Sequence, residues 1–330
     1  MLEFSMIHAE QRRADLERWL GNELKGARFS LAPASEDASF RRYFRATLED
    51  GRSYVVMDAP PDKEDCRPFL HVARLLREAQ VHAPEVFAQD LGRGFLLLAD
   101  LGTRTYLQHL TPDNAPRLFA DAIDALVRWQ LATRPGELPP YDEALLRREM
   151  NLFPEWYLGR HLGLSIDDSR KQLLEETFRL LVKSALAQPV VYVHRDFMPR
   201  NLMLSEPNPG VLDFQDAVLG PASYDAVSLF RDAFLSWEEE QVLDWSVRYW
   251  QKAKSVGLPV DPDFGEFWRA FEWMGLQRHL KVLGIFARIR YRDGKAKYLE
   301  DTPRFIGYAR AVAGRYPALT PLLRLLDELA

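Results

Sequence analysis

The segment Val193–Met203, VHRDFMPRNLM, decides how the rest of the chain is read. It sets His194, Arg195, Asp196 and Asn201 inside an otherwise apolar run. The residues ahead of it, PVVYV from Pro189, have the β-branched and aromatic character of a buried strand. The residues that follow, NLMLS from Asn201, read as a second short strand, so the carboxylate and the carboxamide are expected in the turn of a hairpin. Polar groups placed there need partners. A second polar segment supplies them: GVLDFQDA, from Gly210, sets Asp213 at the end of a short strand, twelve residues after Asn201. A chain that leaves as NLML, reverses at Pro207–Gly210 and returns as VLDF brings Asp213 back beside Asn201. Asp196, Asn201 and Asp213 are therefore expected to converge. A carboxylate and an amide oxygen are hard donors suited to Mg²⁺, which keeps waters and phosphate oxygens as its other ligands. Asp196 is left to accept a proton from a hydroxyl.

Working outward, the N-terminal part reads as a small sheet. Two strand-like runs flank Glu49–Arg52, a turn with Asp-Gly at its centre, and Pro60 and Pro61 end the second run. Cys66–Gln80 has apolar residues at helical spacing, and a second hairpin turns at Gly92–Gly94. From about residue 100 the pattern is helical: Asn114–Ala132, Tyr141–Gly163, Asp167–Ala187 and, after the polar hairpin, the remainder to Ala330. The expected fold class is α+β, a two-lobed arrangement. Residues 1–100 are expected to form a β-rich N-lobe with one helix, and residues 101–330 a large helical C-lobe that carries the polar hairpin. The crevice between lobes is the natural ligand site.

Composition narrows the function. With 47% apolar and 28% charged residues the chain is globular rather than disordered. A net charge of −5 gives no overall attraction to nucleic acid or an anionic membrane. No apolar run approaches the roughly 18–20 residues needed to span a bilayer. The first residues, charged from Glu3 onward, read as an amphipathic helix rather than a signal peptide. The single cysteine, Cys66, excludes an internal disulfide and fits a reducing, cytoplasmic setting.

The pattern H-R-D-x-x-x-x-N followed by D-F resembles the catalytic and metal segments of protein-kinase-like enzymes. The nearer likeness is to the aminoglycoside/choline phosphotransferase branch, through Pro199 ahead of Asn201, the Asp213-Phe214-Gln215-Asp216 step, and GPASYDAVSLF downstream. The resemblance implies a protein-kinase-like fold and an ATP- and Mg²⁺-dependent phosphotransferase, with Asp196 as base and Asn201 and Asp213 as metal ligands. It gives Asp225 a structural role, capping a helix and bracing the catalytic loop; His194 is read as structural too, holding the loop through hydrogen bonds, because Asp196 already supplies the base. The chain departs from the pattern where a strand lysine would hold the phosphates. SYVVMDA has Met57 or Asp58 there, and no convincing glycine-rich loop precedes it. Ser39, Arg41, Arg42 and Arg45 of the preceding SFRRYFR are the candidate ATP-phosphate ligands, since a guanidinium can grip phosphate with two hydrogen bonds. Alternation lets Arg41 and Arg45 share one strand face, with Arg42 on the other. The missing lysine leaves a nucleotide-binding pseudokinase as the non-enzymatic alternative, against which the retention of Asp196, Asn201 and Asp213 speaks. By position, the Ala99 carbonyl and Leu101 amide would pair with adenine.

SFRRYFR, the absent lysine and LQRHLKVLGIFARIRYRDGK together resemble the bacterial anomeric sugar kinases of peptidoglycan recycling. That likeness implies phosphorylation of the C1 hydroxyl of N-acetylmuramic acid and N-acetylglucosamine. Charge supports it: Arg278, Lys281, Arg288, Arg290, Arg292, Lys295 and Lys297 face a lone Asp293, which suits a neutral or anionic acceptor better than a polycation. Glu149 and Gln277 are candidates for sugar hydroxyls, and Arg278 and Arg288 for the acceptor's anionic group. The alternative acceptors are an aminoglycoside or an amino alcohol.

Overall fold

The computed structural model describes residues 2–35 and 40–329. The chain divides into two compact units. One runs from the N-terminus to Arg104 and takes in Met203–Asp216; the other comprises Thr105–Leu202 and the residues from Ala217 onward.

The first unit is built on an antiparallel sheet. Its strands are β1 (Phe29–Ser35), β2 (Arg42–Leu48), β3 (Ser53–Asp58), β4 (Val86–Asp90) and β5 (Phe95–Ala99), in the order β1-β2-β3-β5-β4. Alternation along the strands puts Phe44, Ala46, Val56, Phe95 and Leu97 in one core with Leu16, Trp19 and Leu20 of α1 (Leu2–Glu23). The Asp50-Gly51 turn closes β2 onto β3, with Gly51 at φ +85°. At the second hairpin a Cβ on Gly94 (φ +71°) would lie 1.8 Å from the Ala59 carbonyl oxygen, so only glycine fits there. Strand β1 is a feature the sequence reading misses. FSLAPAS is poor in strand formers, and its pairing with β2 makes it a strand. The helix α2 (Arg67–Glu78) follows the reading and has Pro68 in its first turn. The segment Met203–Asp216 joins this unit through backbone bonds, Leu204 N–H to Arg104 O (2.8 Å) and Val211 N–H to His82 O (2.7 Å).

The second unit is mainly helical: α3 (Tyr106–His109), α4 (Ala115–Leu131), α5 (Glu143–Met150), α6 (Asp168–Leu186), α7 (Tyr224–Phe230), α8 (Glu239–Ser255), α9 (Phe264–Asp293), α10 (Thr302–Arg315) and α11 (Thr320–Asp327). Aspartates at 142, 167 and 263 cap α5, α6 and α9 by accepting a backbone N–H. The single helix expected over Tyr141–Gly163 is α5 followed by a π-helical stretch, Phe153–His161. Gly284 of α9 permits a close approach there, since a Cβ would lie 2.3 Å from the Leu152 carbonyl carbon. Among the described residues no helix is long and apolar enough to cross a membrane.

The short strands correct one expectation. PVVYV and NLML do not form a hairpin: β6 (Val190–Val193) pairs antiparallel with β9 (Val218–Pro221), whereas β7 (Leu202–Met203) pairs with β8 (Gly210–Val211). The reason is the loop between them. Residues 194–201 are held by their own hydrogen bonds and a 3₁₀ turn at Pro199–Asn201, so β6 and β7 do not run side by side.

Candidate active site

In the second unit the loop after β6 is braced from beneath by Asp225. This carboxylate is fully buried and accepts the backbone N–H of His194 (2.7 Å, Oδ2) and of Arg195 (3.0 Å, Oδ1). The bracing role is as expected; the capping role is not, because Ser223 holds the N-cap position and Asp225 sits in the first turn of α7. Burial pushes the Asp225 carboxyl up to about 7, against the two N–H donors, which lower it. The folded chain therefore binds a proton there between about pH 4 and 7 that the unfolded chain has released. This group's contribution to stability is full below about pH 4 and is lost as pH rises through 7. Asp225→Asn is expected to remove that slope, and to cost about 1–3 kcal/mol because the amide offers one acceptor oxygen where both carboxyl oxygens meet a backbone N–H. Urea unfolding at pH 5 and pH 7.5 measures both effects.

The loop itself is tied by hydrogen bonds at several of its backbone groups. The Asp196 N–H donates to His194 Nδ1 (3.2 Å), which makes that ring nitrogen an acceptor and the buried imidazole a scaffold. The Asp196 carbonyl accepts from Met198 N–H (2.9 Å) and from Asn201 Nδ2 (3.0 Å). The second bond orients the Asn201 amide, with its nitrogen turned to the loop. The Asp196 side chain is half-buried, and its carboxylate has no hydrogen bond or ion pair among the described residues. A rigid loop that presents an uncommitted carboxylate is what a general base requires.

Behind the loop lies a buried polar cluster. Glu149 of α5 receives the Tyr141 hydroxyl, Arg195 (2.5 Å) and Lys281 (2.9 Å). Burial alone would push this carboxyl up, yet Lys281 and Arg195 outweigh it and hold it below its ordinary range. Burial likewise opposes the charge on Lys281, and its phenol and carboxylate neighbours more than offset that. Gln277 of α9 is fully buried and donates to the Tyr141 hydroxyl at 3.4 Å. Arg278 is also buried, and its charge acts on Asp225 and on Asp232, a buried carboxylate that accepts the N–H groups of Phe234 (2.6 Å) and Leu235 (3.1 Å). Arg288 is half-buried and stands about 15 Å further along α9 than Arg278, at 1.5 Å per residue. Tyr141, Tyr224 and Asp232 went unread because nothing local marks them. Lys281 carried a signal, lying one helical turn from Gln277 on the same face.

In the first unit Asp213 follows β8 with φ +61°, a left-handed conformation aspartate tolerates better than most residues. Its Oδ1 accepts from Gln215 Nε2 (2.9 Å), and the next residue, Phe214, packs its ring on Phe69 of α2 (4.7 Å between centroids). Asp213 and Asn201 thus belong to different units, each bringing one hard oxygen donor of the kind Mg²⁺ takes. Among the described residues no three His, Cys, Asp or Glu side chains gather to hold a metal by themselves. A single carboxylate or carboxamide oxygen of this kind suits an ion that draws its remaining ligands from phosphate and water.

The arginines of β2 have carboxylate partners. Arg42, on the α1 face with Phe44 and Ala46, binds Asp58, its cross-strand neighbour, which also holds Arg12 (2.7 Å). Arg45 makes a two-pronged bond to Asp100 (2.6 and 3.0 Å) and a third to Gly102 O (2.9 Å). Arg41 precedes the strand, with Glu64 at 3.9 Å. Met57 and Asp58, where a strand lysine would stand, are both fully buried. Ser39 lies outside the described residues. Ala99 ends β5 and donates its N–H to Glu85 O (2.8 Å), and Leu101 lies two residues on, past Asp100.

Residues 30–268 match the model of the phosphotransferase enzyme family. A Pseudomonas putida protein named N-acetylmuramate/N-acetylglucosamine kinase is 58% identical over 300 residues, covering 91% of this chain and 88% of that protein. A Neisseria meningitidis protein of the same name is 52% identical over 323 residues, covering 97% and 96%. Among solved structures, the ADP-bound aminoglycoside phosphotransferase APH(2'')-Ib superposes with a TM-score of 0.60 at 16% identity, over 89% of this chain and 97% of that one.

Proposed function

The chain belongs to the phosphotransferase enzyme family, and from that premise we propose that it is an ATP-dependent sugar kinase acting on N-acetylmuramic acid and N-acetylglucosamine. The observation that carries the chemistry is the uncommitted Asp196 carboxylate on a loop pinned by Asp225, His194 and Asn201. What supports the substrate is the pair of relatives more than half identical over nine-tenths of the chain. Asp196 orients the acceptor hydroxyl and takes its proton. The anomeric C1 hydroxyl is the most acidic on such a sugar, which suits a carboxylate base. Asn201 and Asp213 are the Mg²⁺ ligands, and the ion neutralises phosphate charge when bound. Arg278 supports an acceptor that is neutral or anionic, with Gln277 and Arg288 as further acceptor contacts. The Ala99 carbonyl and Leu101 amide serve adenine. A cytoplasmic location follows from the supply of ATP and the unpaired Cys66.

An acceptor panel with ATP tests the reading: N-acetylmuramic acid, N-acetylglucosamine, ethanolamine, choline and kanamycin, with ADP release as readout and phosphorus NMR for the site. Release with the two amino sugars, giving a 1-phosphate, is expected. Turnover of an amino alcohol or aminoglycoside alone overturns the substrate, and nucleotide binding without turnover overturns the enzyme.

For the phosphates, Arg41 is the arginine of choice, because Arg42 faces α1 and Arg45 is committed to Asp100 and Gly102. Arg41→Ala is expected to raise the KM for ATP and lower kcat together. A lost charge-assisted contact of about 1.5–3 kcal/mol amounts to roughly 10- to 150-fold in kcat/KM. Arg42→Ala and Arg45→Ala should chiefly lower stability. Wild-type ATP kinetics in Arg41→Ala would remove the assignment and leave Lys63 or backbone amides near Ser39.

A further inference from the structure

Arg195 stands immediately before the base and has φ +76°, in the left-handed region that a residue with a side chain enters at a steric cost. Both ends of this residue are anchored. Its N–H donates to Asp225 Oδ1 at 3.0 Å, and its guanidinium reaches Glu149 Oε1 at 2.5 Å. Glu149 is itself held: the Tyr141 hydroxyl takes its other oxygen, and Lys281 shares Oε1 at 2.9 Å while donating to the Tyr224 hydroxyl at 3.0 Å. The guanidinium also lies over the Tyr141 ring, 5.8 Å from its centroid. The cluster therefore contains two cations and one carboxylate, drawn from α5, α9 and the loop. Without that carboxylate, two partly buried like charges would be left near each other and the arginine would lose its anchor.

We infer that Glu149 is a positioning residue for the phosphoryl transfer: it holds Arg195 in the left-handed conformation and so sets the direction of the next side chain, Asp196. The inference deepens the kinase reading and rests on it for its assay. The peptide joining residues 195 and 196 has its orientation set by the dihedrals of Arg195, and the Asp196 N–H then meets His194 Nδ1. If Arg195 relaxes to negative φ, that peptide turns over and the base points elsewhere. Folding and ATP binding need not change. A glycine at 195 reaches φ +76° without an anchor, and this separates positioning from a plain structural role.

The experiment measures kcat, the KM values for ATP and N-acetylmuramic acid, and far-UV circular dichroism for wild type, Glu149→Gln, Arg195→Gly and the double variant. Wild-type turnover is the control for the kinase reading, so an inert wild type counts against that reading and not against the role of Glu149. The expected result is a kcat at least tenfold lower in Glu149→Gln, with the KM for ATP within twofold. In the Arg195→Gly background the same change should cost less than twofold. A difference between the two backgrounds smaller than fivefold, or an inactive Arg195→Gly, overturns the inference. Should Glu149→Gln fail to fold, Arg195→Gly is compared with Arg195→Ala. Both lack the anchored side chain, and only glycine enters the left-handed region freely. At least tenfold higher kcat in the glycine variant at equal KM for ATP is expected, and a smaller difference overturns the inference.

Discussion

Asp196→Asn is expected to lower kcat by about 10²- to 10⁴-fold, the usual contribution of a positioned general base, while ATP binds almost as before. The amide cannot take the hydroxyl proton, yet it is nearly isosteric, and the contacts that shape the loop do not use the carboxylate. The loop is formed by the Asp196 N–H on His194 Nδ1 and by its carbonyl under Met198 and Asn201. The fold and the metal ligands should therefore persist. Single-turnover rates with ATP and N-acetylmuramic acid, set beside nucleotide affinity from calorimetry, give the answer. A large loss of ATP affinity would mean that Asp196 serves the nucleotide instead.

The second large effect belongs to Asp213. Asp213→Asn is expected to reduce turnover by at least about 10³-fold at a Mg²⁺ concentration that saturates the wild type, because on the proposed assignment the carboxylate would supply the charge that holds the ion. In Asp213→Asn, Phe214 keeps its packing on Phe69, and an amide oxygen can still accept from Gln215. Turnover against Mg²⁺ concentration, with thermal melts of both chains, separates metal binding from folding. Near-normal activity with unchanged Mg²⁺ dependence would remove the metal assignment.

Where the sequence was legible, the information was local. The Asp50-Gly51 turn, the α2 face with Phe69, Leu75 and Leu76, and the β7–β8 return that carries Asp213 all depend on residues close in the chain. The misreadings involve partners far along it. PVVYV looked like half of a hairpin because its own residues are equally content beside any strand, and only Val218–Pro221 is placed to pair with it. The charged residues were harder. The carboxylate partners of Arg42 and Arg45 have no local signal. Asp58 lies 16 positions from Arg42, and Asp100 lies 55 from Arg45. The partner of Glu149 is likewise distant, since Arg195 lies 46 positions away.

What the sequence determined by itself is the chemistry on offer: two aspartates and an asparagine with hard oxygen donors, and the spacing that lets short turns carry them. These follow from backbone geometry over a few residues and from side-chain type. What only the tertiary structure decided is which of the many charged groups are committed. An arginine or a carboxylate has the same identity whether it meets solvent, substrate or an opposite charge. Burial makes that pairing obligatory, because a charge removed from water needs a partner, and the partner is chosen by how strands and helices pack. Asp225, Glu149 and Asp58 are settled in this way, and Asp196 stands out because the same packing leaves its carboxylate uncommitted.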